Sequence, residues 1–242
     1  MIVDDQTPQD STGETEKGNQ KIRVWDIPVR IFHWALVILI VSQIVTVSIG
    51  GNLMDYHVLG GYALLTLVLF RILWGLIGTP HARFVNFIHA PLAVFWYAYS
   101  LTGSSHEKHA GHNPLGGWSV IAMLASVLVQ AVSGLFVDDE IMTTGPLWKF
   151  VSDDVASLFA AIHETNALIL LTLICIHMGA ILFYLVKKKD NLIVPMLNGM
   201  KTVSDTHAES FRADSLRPGQ GVLRALILLI VCAGITYLIT SL

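Results

Sequence analysis

The sequence predicts an all-α membrane protein, a bundle of four spanning helices with a fifth at the C-terminal end. Three observations carry this. Hydrophobic residues make up 53% of the 242 and charged residues only 14%, against about a quarter charged in soluble domains. Five apolar runs approach or exceed the roughly 20 residues that a helix needs to cross a hydrocarbon layer about 30 Å thick. Basic residues gather in alternate connecting segments. The net charge of −3 offers no electrostatic footprint for nucleic acid.

Residues 1–20 are polar and acidic with no apolar core, and read as a disordered tail rather than a cleavable signal. Residues 21–190 form the membrane domain. Lys21 to Arg30 is a basic, aromatic lead-in with Pro28 near a helix start. The first span covers 32–50; the second covers 57–77 and carries Arg71. Inside the polar stretch 78–117, PLAVFWYAYSL is too short to cross and rich in Trp and Tyr, which suits a helix lying in the interface. The third span, 118–137, is closed by Asp138, Asp139 and Glu140, and the fourth, 160–186, by Lys187, Lys188 and Lys189. Residues 191–221 read as a cytoplasmic linker, and 222–242 as a C-terminal spanning helix without histidine. Cys175 and Cys232 each lie alone in an apolar run, giving neither a disulfide framework nor a C-x-x-C-H haem attachment.

Charge sets the direction. The lead-in, the 78–117 stretch and the region after 186 hold twelve lysines and arginines; loops 51–56 and 138–160 hold one, Lys149. The positive-inside rule then places the N-terminus in the cytoplasm and the C-terminus outside.

Ionisable groups at membrane depth point to function. His163 and His177 lie fourteen residues apart on the fourth span, a rise of about 21 Å that returns to within roughly 40° of the same face. By depth, His163 pairs with His57 at the outer end of the second span, and His177 with His33 at the inner end of the first. Imidazole is a good neutral iron ligand, and a six-coordinate haem iron takes one axial ligand from each face. The economical solution is a diheme bundle with two non-covalent b haems, one held by His57 and His163, the other by His33 and His177. Taken singly, His33 or His57 reads as an interfacial polar residue; four positions matched in depth read as ligands. Gly60 and Gly61, one turn below His57, suit porphyrin clearance and ordinary helix packing about equally. Arg71 reads as a haem-propionate partner or as a residue snorkelling to the inner surface. His81, His89, His106, His109, His112 and His207 read as solvated loop histidines, the alternative for His106, His109 and His112 being a weak metal site.

Several stretches together resemble one family: VWDIPVRIFHW, YHVLGGYALL, FRILWGLIGTPHARF, AGHNPLGGW and the two-histidine fourth span. The chain resembles the bacterial cytochrome b561 family, which includes the b-type cytochrome subunits of nickel–iron hydrogenases. The likeness covers about residues 21–190, leaving out the acidic tail and the last span. It implies a four-helix diheme core in the bacterial inner membrane, with ligands at His33, His57, His163 and His177, the four that depth selects. The implied role is that of an electron-transfer subunit of a respiratory oxidoreductase. Electrons pass between the quinone pool and a partner, either a hydrogenase-type dehydrogenase or a soluble c-type cytochrome. The rival from another class is a transporter or channel with a histidine proton relay; it lacks the expected inverted repeat and broken helices.

Overall fold

A helix entering a membrane must find partners for its first backbone amides. In the computed structural model, which describes residues 19–101, 111–138, 143–204 and 220–242, Asp26 does this for α1 (Ile27–Ile49). Its Oδ1 accepts from Val29 N at 2.7 Å. Pro28 follows in the first turn, where a missing N–H costs nothing. Asp26 also reaches across the bundle, its Oδ2 accepting from Trp74 Nε1 at 3.2 Å and from Thr79 Oγ1. One carboxylate thus joins the start of α1 to the end of α2 (Met54–Ile77). Gly75 lets the following turn close up, because a Cβ there would lie 2.1 Å from the Phe84 ring.

The next elements are α3 (Pro91–Ser100), α4 (Pro114–Gly134) and α5 (Asp153–Val186). Helix α4 begins earlier than its apolar run because Asn113 caps it, Oδ1 accepting from Gly116 N at 2.7 Å, with Pro114 in the first turn. Helix α5 also starts before its apolar run, at Asp153 and Asp154, whose charges favour a helix N-terminus. Its 34 residues extend about 51 Å, well beyond a 30 Å hydrocarbon layer. Apolarity marks where a span enters lipid, whereas capping marks where the helix begins. After α6 (Ile193–Asn198) comes α7 (Gln220–Thr240). Among the described residues five helices, α1, α2, α4, α5 and α7, are long and apolar enough to cross a membrane. The short α3 leaves Leu92, Phe95, Trp96 and Tyr99 exposed.

Helix α2 is the hub: α1, α4 and α7 all pack on it, and α5 packs on α4. Between α2 and α7 the seam is built from small side chains, with Ala225, Cys232 and Thr236 buried on one face of α7. Thr66 Oγ1 donates to Thr236 Oγ1 at 3.0 Å across it. Close approach and an interhelical hydrogen bond are what hold helices together where lipid removes the hydrophobic drive. Helix α5 makes at most sparse backbone contact with α1 and α2, and the gap left between them is where the site lies.

Part of the segment expected as a linker is folded. Strand β1 (Asn19–Arg23) pairs antiparallel with β2 (Met200–Ser204), Ile22 opposite Lys201. Gly199, at φ 80°, ends α6 in the left-handed conformation that favours glycine. Its carbonyl accepts from Val24 N at 2.9 Å and Trp25 N at 3.3 Å. Behind the ribbon, Lys201 Nζ and Asp190 Oδ2 form a buried ion pair at 3.0 Å. The rest of the linker, from 205 to 219, and most of the acidic tail lie outside the described residues.

Removing one member of a buried ion pair strands the other charge, at a cost of about 3 kcal/mol. Asp190→Asn is therefore expected to loosen the ribbon, read as faster hydrogen exchange at the Lys201 and Thr202 amides. The double change Asp190→Leu with Lys201→Met should restore protection. Unchanged exchange in the single variant would show that the pair does not hold the ribbon.

Candidate functional site

Three helices bring four histidines together beside α5. His57, near the start of α2, faces His163 of α5 with ring centres 6.4 Å apart and planes at 76°. Each ring is held by its Nδ1. His163 Nδ1 lies 3.0 Å from the Gln130 carbonyl and 3.2 Å from Ser133 Oγ. Ser133 Oγ itself donates to the Gln130 carbonyl at 3.2 Å, so its lone pair is free to accept from the ring. These contacts favour the tautomer with hydrogen on Nδ1 and a bare Nε2. His57 Nδ1 lies 3.3 Å from Thr46 Oγ1 of α1. That hydroxyl donates to the Ser42 and Gln43 carbonyls and so accepts from the ring in the same way.

Small residues shape this end. A Cβ on Gly134 would stand 3.0 Å from His163 Cε1, so the ring lies directly on the α4 backbone. Gly61 faces open space, with nothing within 4 Å of a Cβ built on it. Gly60 serves a different neighbour: its missing Cβ makes room for Gln43, whose Nε2 would otherwise lie 2.1 Å away.

At the opposite end, His33 of α1 and His177 of α5 lie within electrostatic reach of each other. His33 Nδ1 is buried with no hydrogen-bond partner among the described residues. Arg71 is buried, 3% exposed, with Nη1 donating to the Ala82 carbonyl at 3.2 Å and its guanidinium 4.9 Å from the Phe84 ring centre. The turn after α2 covers it, and it lies near Asp26 and His112.

His112 is the residue that sequence reading misplaced. Instead of lying in solvent, its ring packs 4.6 Å from Trp25 and 4.4 Å from Phe87, near Arg71 and His177. Burial, and then the positive charge of Arg71 and the nearby His177, push its pKa down from 6.5 to about 3. The only signal was its place in HNP, one residue before the cap of α4. His106, His109 and His207 lie outside the described residues, and His89 Nδ1 contacts the Phe87 carbonyl at 2.9 Å.

What can this arrangement bind? No group of three or more His, Cys, Asp or Glu able to hold a metal ion exists among the described residues. A metal bound by protein alone, as zinc is, needs three or four ligands. Pairs of histidines suit a metal whose other positions are filled by a planar macrocycle. Two imidazoles on opposite sides of one metal, with bonds of about 2 Å, have ring centres about 6 Å apart, and His57 and His163 stand at 6.4 Å. At the His57 and His163 end the residues present therefore suit haem.

The family model described as prokaryotic cytochrome b561 matches residues 24–199. A probable Ni/Fe-hydrogenase B-type cytochrome subunit of Rhizobium leguminosarum bv. viciae is 22% identical over 236 residues, covering 85% of this chain and 99% of that protein. Proteins of the same description from Bradyrhizobium diazoefficiens and Azotobacter vinelandii are each 28% identical. Those matches cover 44% and 49% of this chain, and 53% and 61% of the relatives. No solved structure matches.

The low pKa of His112 has a stability consequence. An unfolded histidine takes a proton near 6.5 and the folded one only near 3, so the contribution is complete above 6.5 and drains away as pH falls toward 3. Between pH 7 and pH 5 the protein is expected to lose about 2 kcal/mol more than the variant His112→Phe. Parallel thermal-unfolding profiles of the two across that range would contradict the placement of the ring.

Proposed function

The chain belongs to the prokaryotic cytochrome b561 family, and on that premise we propose that it is a diheme electron-transfer subunit of the bacterial inner membrane. Its N-terminus lies in the cytoplasm and its C-terminus in the periplasm, a reading supported by the distribution of lysine and arginine. It passes electrons between the quinone pool and a redox partner. The descriptions of its relatives favour a nickel–iron hydrogenase as that partner; a soluble c-type cytochrome is the other candidate.

The facing of His57 and His163 at 6.4 Å carries the reading. These two would hold one haem b at the periplasmic end, and His33 and His177 a second at the cytoplasmic end. Bound there, haem would supply reversible one-electron chemistry at iron. The protein's own residues supply the rest. Thr46, Gln130 and Ser133 hold the Nδ1 atoms and turn Nε2 of His57 and His163 into the gap. Gly134 lets the His163 ring lie against α4, Gly61 leaves open space one turn from His57, and Gly60 makes room for Gln43. Arg71, buried and cationic, would neutralise a propionate at the cytoplasmic end. The lipid-facing helices exclude water, which keeps the surroundings of iron apolar and helps to set its potential.

Membranes containing the protein should show a b-type α band in the reduced-minus-oxidised spectrum; its absence ends the haem reading. His57→Ala and His163→Ala should each remove about half the haem, and the same half. His33→Ala and His177→Ala should remove the other half. Loss of one haem by His57→Ala and of the other by His163→Ala would refute the pairing.

A further inference from the structure

Three residues beyond His163, on the same side of α5, lies a side-chain amide with no evident business in an apolar helix. Asn166 is 7% exposed and sits deep in the span. A buried amide in hydrocarbon is tolerated only when its hydrogen bonds are made, and Asn166 makes three. Its Nδ2 donates to the Ser126 carbonyl at 2.9 Å and to Gln130 Oε1 at 2.7 Å, and its Oδ1 accepts from Ser126 Oγ at 3.0 Å. All three partners belong to α4. Gln130 is also the residue whose backbone carbonyl faces His163 Nδ1 at 3.0 Å. One residue of α4 is therefore gripped twice from α5, by its side chain from Asn166 and by its backbone from His163.

We propose that Asn166 is a positioning residue for His163: by clamping Gln130 it fixes the length and direction of the His163 Nδ1–H to Gln130 carbonyl bond, and thereby the basicity of the Nε2 offered to haem iron. The inference rests on the reading of His163 as an axial ligand. Its physical basis is that hydrogen bonding at one imidazole nitrogen sets the electron density at the other. A shorter Nδ1–H···O bond makes Nε2 a stronger donor and favours the ferric state. Released from Asn166, Gln130 loses the partner of its Oε1, the seam between α4 and α5 relaxes at that level, and the Nδ1 bond lengthens. The haem on His163 then becomes easier to reduce.

The test uses the full-length protein in detergent and compares Asn166→Leu, branched at Cγ like asparagine but larger and unable to hydrogen-bond, with Ser126→Ala, which removes one bond and keeps the amide. Potentiometric titration followed at the α band gives the midpoint of each haem, and low-temperature EPR of the oxidised protein reports axial-ring geometry. His163→Ala identifies which haem is which. Expected in Asn166→Leu is full haem content, an upward shift in the midpoint of the haem that His163→Ala removes, altered low-spin g-values for that haem, and no change in the other. Ser126→Ala should shift the same midpoint in the same direction by less, and it decides the matter if Asn166→Leu fails to assemble. A lower melting temperature with both midpoints and g-values unmoved would make Asn166 a bolt between helices and overturn the proposal. Retention of both haems by His163→Ala would instead overturn the ligand assignment on which it stands.

Discussion

The hydrogen bond between His163 Nδ1 and the Gln130 carbonyl, 3.0 Å across the seam of α4 and α5, is the contact on which the rest of the site depends. In hydrocarbon an imidazole N–H without an acceptor is expensive, so this bond decides which nitrogen carries hydrogen and which way the ring faces. It also decides how α5 stands in the bundle. That helix packs chiefly on α4 and leaves Leu168, Leu171, Ile176 and Leu182 exposed. Polar bonds tie it to α4: His163 and Asn166 to Gln130, and Asn166 to Ser126. A helix held from one side leaves its other side open, and that opening is where His33 and His57 look toward it.

The other end of the bundle is organised by one carboxylate. Asp26 caps α1 and accepts from Trp74 and Thr79, which brings Arg71, one turn before Trp74, to the level where His112 packs between Trp25 and Phe87. Beyond it, Trp34 Nε1 donates to the Met196 carbonyl at 3.3 Å, Arg30 Nη2 donates to the Leu197 carbonyl, and the ribbon of β1 and β2 extends this contact. The segment after α5 thus folds back on the start of α1. Helix α7 completes the set by lying along α2, on the stripe formed by Ala225, Cys232 and Thr236.

Much of this was legible. Hydrocarbon imposes one length on every span, so apolar runs located all five helices within a few residues at most ends. The misses at the starts of α1, α4 and α5 came where Asp26, Asn113 or Asp153 lets a helix begin before lipid does. Depth brought His57 opposite His163 because two fixed rises along two helices leave little freedom. Position along a helix does not reveal tertiary neighbours outside the spans. Hence His112, read as solvated, is packed between aromatics, and residues 200–204, read as linker, form a strand with 19–23. That pairing joins segments far apart in sequence, and five-residue strands leave little periodic pattern. Gly60 illustrates a finer limit. Its smallness showed in the sequence, but that the space serves Gln43 could be learned only from the packing.

In the proposed function one chain holds two haems, each between two imidazoles. Haem b extracted from the purified protein and divided by polypeptide, together with near-infrared magnetic circular dichroism of the oxidised form, tests it directly. Two haems per chain with the charge-transfer band of bis-histidine ligation is the predicted result. One haem per chain, or a band showing a ligand other than imidazole on either iron, would contradict it.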